Sequence, residues 1–298
     1  MAQSGQPAAV ERGIAPSGYR LPDAAHIGGV RLQVSDLQQS IEYYRRVLGL
    51  SVIDSTRNSA ALAPSGGTTL LTLESADGIH PSRRGAFGLF HFAVLLPDRP
   101  ALGRFAAHLV TLDAHVGAAD HLVSEAFYLS DPDGLGIEVY GDRPRSSWQY
   151  HGRQLAMTTD PLDVRSVIAA ANGQPWKGAP AGTTMGHVHL HVGNLEDAAK
   201  FYHRGLGFDE TVWDYPGALF MSAGGYHHHL GVNTWAPGPA SPPDRARLLD
   251  WELVVPSAVD VGAAAASLQG AGYSVDSSAD TALASDPWGT RVRIRAER

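Results

Sequence analysis

Two short segments of this chain concentrate histidine on apolar backgrounds. The stretch HVHLHV, residues 187–192, places three histidines at alternate positions, and GGYHHHLGVN, which begins at Gly224, adds three in a row. The chain has 14 histidines and no cysteine, so any metal must be held by imidazole and carboxylate groups. Because imidazole both ligates metals and titrates near neutral pH, the two segments indicate a site that handles a metal or protons, or else an unusual polar filling of the fold.

Strand alternation predicts which of these histidines share a face. In HVHLHV the side chains at positions 187, 189 and 191 point to one side of a strand, and in the second segment His227 and His229 share a side while His228 points away. If both sides line one cavity, we predict His229 and His189 as catalytic groups that move protons. Tyr226 would donate a hydrogen bond to a substrate oxyanion there. A polar stripe with Tyr226 as a packed aromatic is the alternative interpretation.

The chain repeats itself, which shows how these residues are positioned. GGVRLQVSDLQQSIEYYRRVLGL (28–50) aligns without a gap with GHVHLHVGNLEDAAKFYHRGLGF (186–208). A weaker copy of the same strand-then-helix outline follows in each half, at 89–109 and 249–273, and each half ends with a DPxG turn and a short strand. A long repeat of this kind indicates a duplicated domain.

Local patterns give each repeat the same elements. VRLQV and VHLHV alternate as strands do, Asp36 and Asn194 are suitable helix N-caps, and Gly49 and Gly207 stand where a helix would end in a left-handed turn. The unit is β-α-β-β-β, present four times at about 26–76, 88–142, 185–236 and 248–296. We therefore predict an α+β protein of four βαβββ modules, paired into two domains with cup-shaped mixed β-sheets.

The predicted domain organisation follows the two halves of the sequence. Residues 1–22 are interpreted as a flexible arm, 23–147 as an N-terminal domain of modules 1 and 2, 148–182 as a linker with a short helix at 162–171, and 183–298 as a C-terminal domain of modules 3 and 4. Hydrophobic residues make up 44% of the chain, which suits a globular core.

The charge and composition argue against several classes of function. A net charge of −7 lacks the positive field that nucleic-acid binding usually needs, and no apolar stretch is long enough to span a membrane. No signal peptide is evident, and the absence of cysteine fits a cytoplasmic protein.

Four such modules, each with a first strand, a helix and a DPxG strand in order, resemble the vicinal oxygen chelate superfamily. That superfamily includes glyoxalase I, fosfomycin and bleomycin resistance proteins and type I extradiol dioxygenases. The segments GLFHFAVLLPDRPALGRF, ADHLVSEAFYLSDPDGLGIEVYGDRPR, MGHVHLHVGNLEDAAKFY and AGGYHHHLGVNTW are similar to its four-module catechol 2,3-dioxygenase branch, and the resemblance covers roughly residues 24–296.

The resemblance implies a metal site with two histidines and one glutamate, which leaves positions for catechol and O₂. His91 matches the first-strand ligand of module 2, Glu138 the final-strand ligand of the same module, and His187 the first-strand ligand of module 3. His229 is similar to the histidine that moves protons in extradiol enzymes. Gly29 stands at the ligand place of module 1, so neither half by itself carries a complete set. A structural His91–Glu138 pair is the alternative to a metal.

Module 4 departs from the ligand pattern. Its first strand offers Asp250 or Trp251 where a histidine would stand, and its last strand offers Arg293 where a glutamate would stand. Facing inward, Arg293 would hold an anion; facing outward, it would protect a solvated edge strand.

The function that the resemblance implies is extradiol ring cleavage of a small aromatic, catechol-like substrate with O₂. The expected cofactor is Fe²⁺, with Mn²⁺ or no metal as alternatives, and a homo-oligomer is compatible with the family. Two other classes stay open. One is a glyoxalase-like isomerase or lyase, and the other is a protein that binds an aromatic ligand or drug without turnover.

Overall fold

The structure of this protein is a computed structural model that describes residues 11–297. Its elements follow the predicted repeat. Module 1 contains β1 (His26–Val34), α1 (Leu37–Val47), β2 (Ser51–Ser55), β3 (Ser59–Ala63) and β4 (Leu71–Ser75). Module 2 contains β5 (Gly88–Leu95), α2 (Arg99–Thr111), β6 (Gly117–Asp120), β7 (Ser124–Ser130) and β8 (Gly136–Asp142).

The second half of the chain repeats this order after a connecting segment. The connection contains β9 (Tyr150–His151), β10 (Gln154–Leu155) and the predicted short helix, α3 (Val164–Ala169). Module 3 contains β11 (Thr184–His191), α4 (Leu195–Ala198) with a π-helical continuation (Ala199–Gly205), β12 (Asp209–Val212), β13 (Ala218–Ser222) and β14 (Leu230–Asn233). Module 4 contains β15 (Arg247–Val255), α5 (Ala258–Gly270), β16 (Val275–Ser277), β17 (Thr281–Ser285) and β18 (Arg291–Ala296).

The predicted helix boundaries are confirmed by their hydrogen bonds. The side chain of Asp36 accepts from the backbone N–H of Gln39, and that of Asn194 accepts from Asp197, so each caps the first turn of its helix. Gly49 and Gly207 end these helices at φ values of 66° and 95°, a left-handed conformation that glycine adopts without a side-chain clash.

Two eight-stranded sheets contain the modules in an unexpected combination. One sheet has the order β16-β17-β18-β15-β1-β4-β3-β2 and thus joins modules 4 and 1. The other has the order β12-β13-β14-β11-β5-β8-β7-β6 and joins modules 3 and 2. At the centre of each sheet the first strands of two modules run antiparallel, β1 beside β15 and β5 beside β11.

The strand order corrects the predicted division into residues 23–147 and 183–298. The prediction of four modules in two paired units is right, but the partner of each module lies in the other half of the sequence. The physical reason is that every module offers the same open edge, its first strand. Hydrogen bonding by that edge does not depend on side chains, so the repeat pattern cannot select the partner.

Consecutive modules are tied by helix-to-turn contacts instead. The hydroxyl of Tyr44 on α1 donates to Asp131 in the DPDG turn of module 2 at 2.8 Å, and Tyr202 after α4 donates to Asp286 in the DPWG turn of module 4 at 2.9 Å. Burial raises the pKa of Asp131 to about 6, and the hydroxyl and two backbone N–H groups partly offset this effect. The sheets therefore join the two halves while the helices lock neighbouring modules together.

The core lies between the helices and the sheets. Its largest fully buried side chains are Trp251, Tyr44, Tyr202, Phe92, Phe105, Phe127, Phe201 and Phe208. Burying a large apolar side chain contributes roughly 1.5–3 kcal/mol, so these residues are a main source of stability. Within residues 11–297, no helix combines the length and apolar character that a membrane crossing requires.

The predicted flexible arm, residues 1–22, needs correction over its described part. Ile14 forms a β-bridge with Glu210, Leu21 is 3% exposed in the core, and Arg20 forms a two-pronged ion pair with Asp209 at 2.8 and 2.6 Å. Residues 11–22 thus pack on module 3, because they bury an apolar side chain and pair their backbone. Residues 1–10 lie outside the described residues.

The pairing of modules 1 and 4 can be tested by a disulfide, because the chain has no cysteine of its own. Gln33 and Arg247 face each other across β1 and β15. Since directly opposed antiparallel residues lie about 4.5–5.5 Å apart, Gln33→Cys with Arg247→Cys should oxidise to an intramolecular bond. Non-reducing gel mobility and peptide mass spectrometry would detect the bond.

A matched variant combines Gln33→Cys with Gly88→Cys on β5. Gly88 pairs with His191, the residue of β11 at the repeat position of Gln33, so pairing of β1 with β5 would bring these two cysteines together. We expect no bond in this variant. A disulfide that forms there and not in the first variant would contradict the strand order.

Candidate active site

Three candidate ligands from two modules converge in the sheet of modules 2 and 3. His91 lies on β5, Glu138 on β8 and His187 on β11. The Nε2 atoms of the two histidines lie 3.1 and 3.2 Å from Glu138 Oε2, and 3.3 Å from each other. All three side chains are buried, with at most 6% exposed. Within residues 11–297, this is the one group of three or more His, Asp or Glu side chains whose ligand atoms meet.

The donor set fits a divalent metal ion. Burial lowers the pKa of His187 to about 4 despite the opposing charge of Glu138, so its ring is neutral at neutral pH. Burial by itself would raise the pKa of Glu138, but the adjacent His187 and His91, which donate hydrogen bonds to its carboxylate, outweigh burial and hold that pKa well below its usual range. Neutral imidazole and ionised carboxylate are the forms that ligate metals. Ligands on one face of an octahedral ion, each roughly 2.1 Å from it, stand about 3 Å apart.

The ring of His187 is held by packing. Its other nitrogen, Nδ1, is buried and has no hydrogen-bond partner among residues 11–297. Tyr140 lies on it at a ring-centroid distance of 5.0 Å, and His228 at 4.1 Å. These two rings therefore fix the direction in which Nε2 of His187 points.

The triad borders a cavity of about 400 Å³ that contains His91 and Glu138 in its wall. This volume is within the range of small-molecule sites. The apolar wall is formed by Phe90, Met157, Tyr215, Phe220 and Trp235. The polar wall is formed by His121, Tyr128, Thr158, Thr159, His189 and His228. Met157 and the two threonines belong to the predicted linker, so that segment is part of the site as well as a connection.

Of the predicted catalytic residues, His189 lies in the cavity. The side chain of Asn233 fixes its tautomer. Asn233 Oδ1 accepts from His191 Nδ1 at 2.6 Å and from the backbone N–H of Trp235 at 3.1 Å, so Nδ2 is the atom that donates to His189 Nε2 at 3.0 Å. The proton of the neutral His189 ring is therefore on Nδ1. A Cβ at Gly231 would come 2.9 Å from this ring, so glycine there makes room for it.

The other two predicted catalytic residues, His229 and Tyr226, lie outside this cavity, so the expectation that they share it with His189 is corrected. His229 and Tyr226 line a separate groove of about 920 Å³ around Gly28–Arg31. There, His229 Nδ1 accepts from the backbone N–H of Ala223 at 3.2 Å. His228, which alternation placed outside the set, faces the cavity instead. The HHH segment precedes β14 and is not part of a regular strand, so alternation does not predict its directions.

His121 and Tyr128 form a second polar group of the cavity. The carbonyl of Thr158 can only accept, so His121 Nδ1 donates to it at 2.6 Å, and His121 Nε2 then accepts from the Tyr128 hydroxyl at 2.6 Å. Burial, followed by the charge of Glu138, raises the pKa of Tyr128 well above its usual value. Tyr128 therefore keeps its proton. Sequence analysis overlooked this tyrosine, although its place on a strand ahead of the DPDG turn was readable.

The sheet of modules 1 and 4 carries an ion-pair cluster at the equivalent place. Asp250 faces Arg31 across β15 and β1, as His91 faces His189 across β5 and β11. On the neighbouring strand, Arg293 pairs with Glu252, two residues after Asp250. In the other sheet, Glu138 likewise pairs with Ala93, two residues after His91. Asp250, rather than Trp251, therefore stands at the ligand position.

The cluster is electrostatically self-contained. Asp250 is fully buried and contacts Arg31 at 2.5 Å and Arg293 at 3.4 Å. Arg31 also contacts Glu74 at 2.6 Å. Of the two interpretations of Arg293, the inward one agrees with the structure in that Arg293 pairs with an anion, and this anion is the buried carboxylate of Asp250. Guanidinium groups thus neutralise the carboxylate that stands at a ligand position in this sheet.

Comparisons with known proteins place this geometry in a family context. The family model described as the glyoxalase/bleomycin resistance protein/dioxygenase superfamily matches residues 25–139 and 184–294. The catechol-2,3-dioxygenase of Bacillus subtilis (strain 168) is 42% identical over 268 residues, which covers 88% of this chain and 94% of that protein.

Solved structures show the same architecture. A protein from Bacillus subtilis subsp. subtilis str. 168 superposes with a TM-score of 0.67 at 13% identity, covering 93% of this chain and 86% of the other. Glyoxalase I from Zea mays superposes with a TM-score of 0.55 at 18% identity, covering 92% of each chain. At these identities the likeness concerns the fold.

Removing the buried carboxylate of the ion-pair cluster should destabilise the protein. In Asp250→Asn, two guanidinium groups lose their shared buried partner, and we expect the free energy of unfolding to fall by about 3 kcal/mol. The control is Glu74→Gln, which removes the 38%-exposed partner of the same arginine and should cost less than about 1 kcal/mol. Denaturant unfolding of both variants measures the difference, and equally small losses would contradict the cluster's role.

Removing one candidate ligand should abolish metal binding while the fold remains. We expect Glu138→Gln and His187→Gln to weaken Fe²⁺ or Zn²⁺ affinity by more than about 100-fold, because even the outer partners of metal ligands contribute 10–100-fold. Titration calorimetry and metal analysis of the purified protein measure this. Glu74→Gln, whose carboxylate lies in the other sheet, should bind metal as the wild type does. Unchanged binding in both ligand variants would exclude a metal at this triad.

Proposed function

Because this chain belongs to the glyoxalase/bleomycin resistance protein/dioxygenase superfamily, we propose that it is a metal-dependent extradiol dioxygenase that cleaves the ring of catechol-like aromatic substrates. The observation that carries the proposal is the buried His91–Glu138–His187 triad beside a largely apolar cavity. The 42% identity to the B. subtilis catechol-2,3-dioxygenase supports the same reaction class. Two neutral ligands and one anionic ligand leave much of an ion's coordination open for substrate and O₂.

In the proposed reaction, catechol and O₂ combine without loss of atoms. The ring bond between one hydroxyl-bearing carbon and its neighbour without a hydroxyl group breaks. Both atoms of O₂ enter the product, and O₂ is the oxidant. Fe²⁺ held by His91, Glu138 and His187 would supply Lewis acidity toward the substrate oxygens and the electron exchange that activates O₂. The rest of the site must bind and orient the ring, exclude water and move protons.

The aromatic walls suit a flat apolar ring. Phe90 and Phe220 contact His189 edge-on at ring-centroid distances of 5.2 and 5.5 Å, and Trp235 lies 5.6 Å from Phe90. A ring held among these side chains would have its hydroxyl groups directed toward the buried triad. The cavity of about 400 Å³ is suited to a one-ring catechol with small substituents.

His228 is the group best placed to accept a proton from the substrate. It lines the cavity and contacts His187, and burial, with the charges of neighbouring histidines as a smaller cause, lowers its pKa well below the usual value. The neutral ring can take up a proton, and a negative charge on the bound substrate would stabilise the protonated form. His228 thus replaces His229 in the predicted proton-transfer role.

His189 and Tyr128 complete the polar wall with opposite capacities. His189 offers an N–H at Nδ1, because Asn233 occupies Nε2, and burial lowers its pKa so that the ring remains neutral. It can donate to an oxygen of the substrate or product. The Tyr128 hydroxyl uses its proton on His121, so its oxygen can accept from a substrate hydroxyl. The site therefore holds both a donor and an acceptor in fixed positions.

The proposed partners are a small aromatic substrate and O₂. A cytoplasmic location, the absence of nucleic-acid and membrane partners and a homo-oligomeric state remain predictions from composition and resemblance.

The proposed function predicts opposite outcomes for two adjacent histidines. With Fe²⁺ and air, wild-type protein should convert catechol to a yellow ring-fission product and consume one O₂ per substrate. His228→Gln should lower kcat by about 10²–10⁴-fold with metal content retained, because general acid–base catalysis contributes that much. His229→Gln, outside the cavity, should stay within about threefold of the wild type. Absorbance and oxygen-electrode assays measure both.

The same assays separate the alternative functions. Turnover of a carbonyl substrate without O₂ would support an isomerase or lyase, and tight binding of catechols without turnover would support a binding protein. Either result, in protein shown to contain metal, would contradict ring cleavage.

A further inference from the structure

Behind His228, a chain of buried polar contacts leads from the cavity to the surface. His227 is fully buried, and its Nδ1 lies 2.7 Å from His228 Nδ1. Its Nε2 lies 2.9 Å from Oδ1 of Asp142, whose side chain is 29% exposed at the end of β8. Among residues 11–297, Nε2 of His228 makes no hydrogen bond, and this ring lines the cavity. The chain joins module 2, which carries Asp142, to module 3, which carries both histidines.

The carboxylate at the outer end determines where the protons lie. A carboxylate only accepts, so His227 donates to Asp142 from Nε2, and in the tautomer that carries its single proton there Nδ1 is an acceptor. Of two facing Nδ1 atoms one must donate, so His228 carries its proton on Nδ1. His228 Nε2 is then left with a free lone pair on the cavity side. The reverse tautomer would present an N–H to the cavity and could not take up a proton there.

We propose that Asp142 and His227 are positioning residues that fix the tautomer of His228 and keep its Nε2 unprotonated toward the substrate cavity. This inference rests on the proposed function, in which His228 accepts a substrate proton. Neither residue lines the cavity, so each acts through the ring next to it.

Two tyrosines hold the carboxylate in place. The hydroxyl of Tyr226 donates to Asp142 Oδ1 at 3.2 Å, and the hydroxyl of Tyr140 donates to Tyr226 at 2.6 Å. Tyr140 also packs against His187, at a ring-centroid distance of 5.0 Å. Tyr226 therefore belongs to the anchoring of Asp142 rather than to the substrate cavity where the sequence placed it.

The wild-type protein tests the tautomer directly. The full-length chain with ring-¹⁵N histidine is loaded with Zn²⁺, a diamagnetic ion that accepts imidazole and carboxylate ligands. Long-range ¹H–¹⁵N spectra distinguish protonated from bare ring nitrogens, and His227→Gln and His228→Gln assign the signals. We expect bare Nδ1 in His227 and bare Nε2 in His228. Protonated Nε2 in His228, or protons on both nitrogens of His227, would overturn the proposal.

A matched pair of substitutions tests the role of Asp142. Asp142→Ala removes the acceptor, so both histidines should become tautomer mixtures, and kcat should fall by about 10-fold or more while KM changes less than about threefold. Asp142→Asn keeps an amide oxygen that can accept from His227 and Tyr226, so it should restore the wild-type tautomers and most of kcat. Equal losses in both variants, or unchanged tautomers in Asp142→Ala, would overturn the proposal.

The spectra and the activity assay distinguish a failure of this inference from a failure of the proposed function. If wild-type protein shows the expected tautomers and the Asp142→Ala shift but cleaves no catechol, positioning by Asp142 and His227 is supported and the proposed function is contradicted. If wild-type protein cleaves catechol while Asp142→Ala keeps both its activity and its tautomers, the proposed function is supported and positioning by Asp142 and His227 is contradicted. Thermal unfolding of each variant confirms that the fold is intact.

Discussion

The antiparallel contact between β5 and β11 is the interaction on which the site depends. It places Ala93 beside His187, and β8 in turn places Glu138 beside Ala93. Three side chains that are far apart in the sequence therefore meet within 4.8 Å of one another. The hydrogen bonds that make this contact belong to the backbone, so the precision of the site derives from sheet geometry rather than from the histidines themselves.

The same arrangement occurs twice, with different chemistry. In the sheet of modules 2 and 3, the central positions carry two imidazoles and the buried carboxylate of Glu138, whose pKa is held well below its usual range. In the sheet of modules 1 and 4, Asp250 and Glu74 pair with Arg31 and Arg293, so that two carboxylates and two guanidinium groups neutralise each other. One sheet thus needs an external cation and the other supplies its own. This difference explains why one candidate metal site is found within residues 11–297 although the fold is duplicated.

Sheet pairing and helix packing connect the modules in two directions. The sheets join modules 1 with 4 and 2 with 3, while Tyr44–Asp131 and Tyr202–Asp286 join 1 with 2 and 3 with 4. The DPxG aspartates accept two backbone N–H groups in their own turns as well as the tyrosine hydroxyl. Sheet pairing and these hydrogen bonds therefore link the four modules in a closed ring.

The sequence by itself determined the module, its helix caps and its DPxG turns, because these depend on side-chain periodicity and backbone preferences within a few residues. Strand alternation also indicated His189, while the family resemblance implied His91, Glu138 and His187 as metal ligands. The partner of each module and the side on which His228 lies were decided by the tertiary structure. First strands offer equivalent backbone edges, so nothing local selects between them. The HHH segment lies outside a regular strand, so the contacts of His227 with Asp142 and His228, rather than alternation, set its directions.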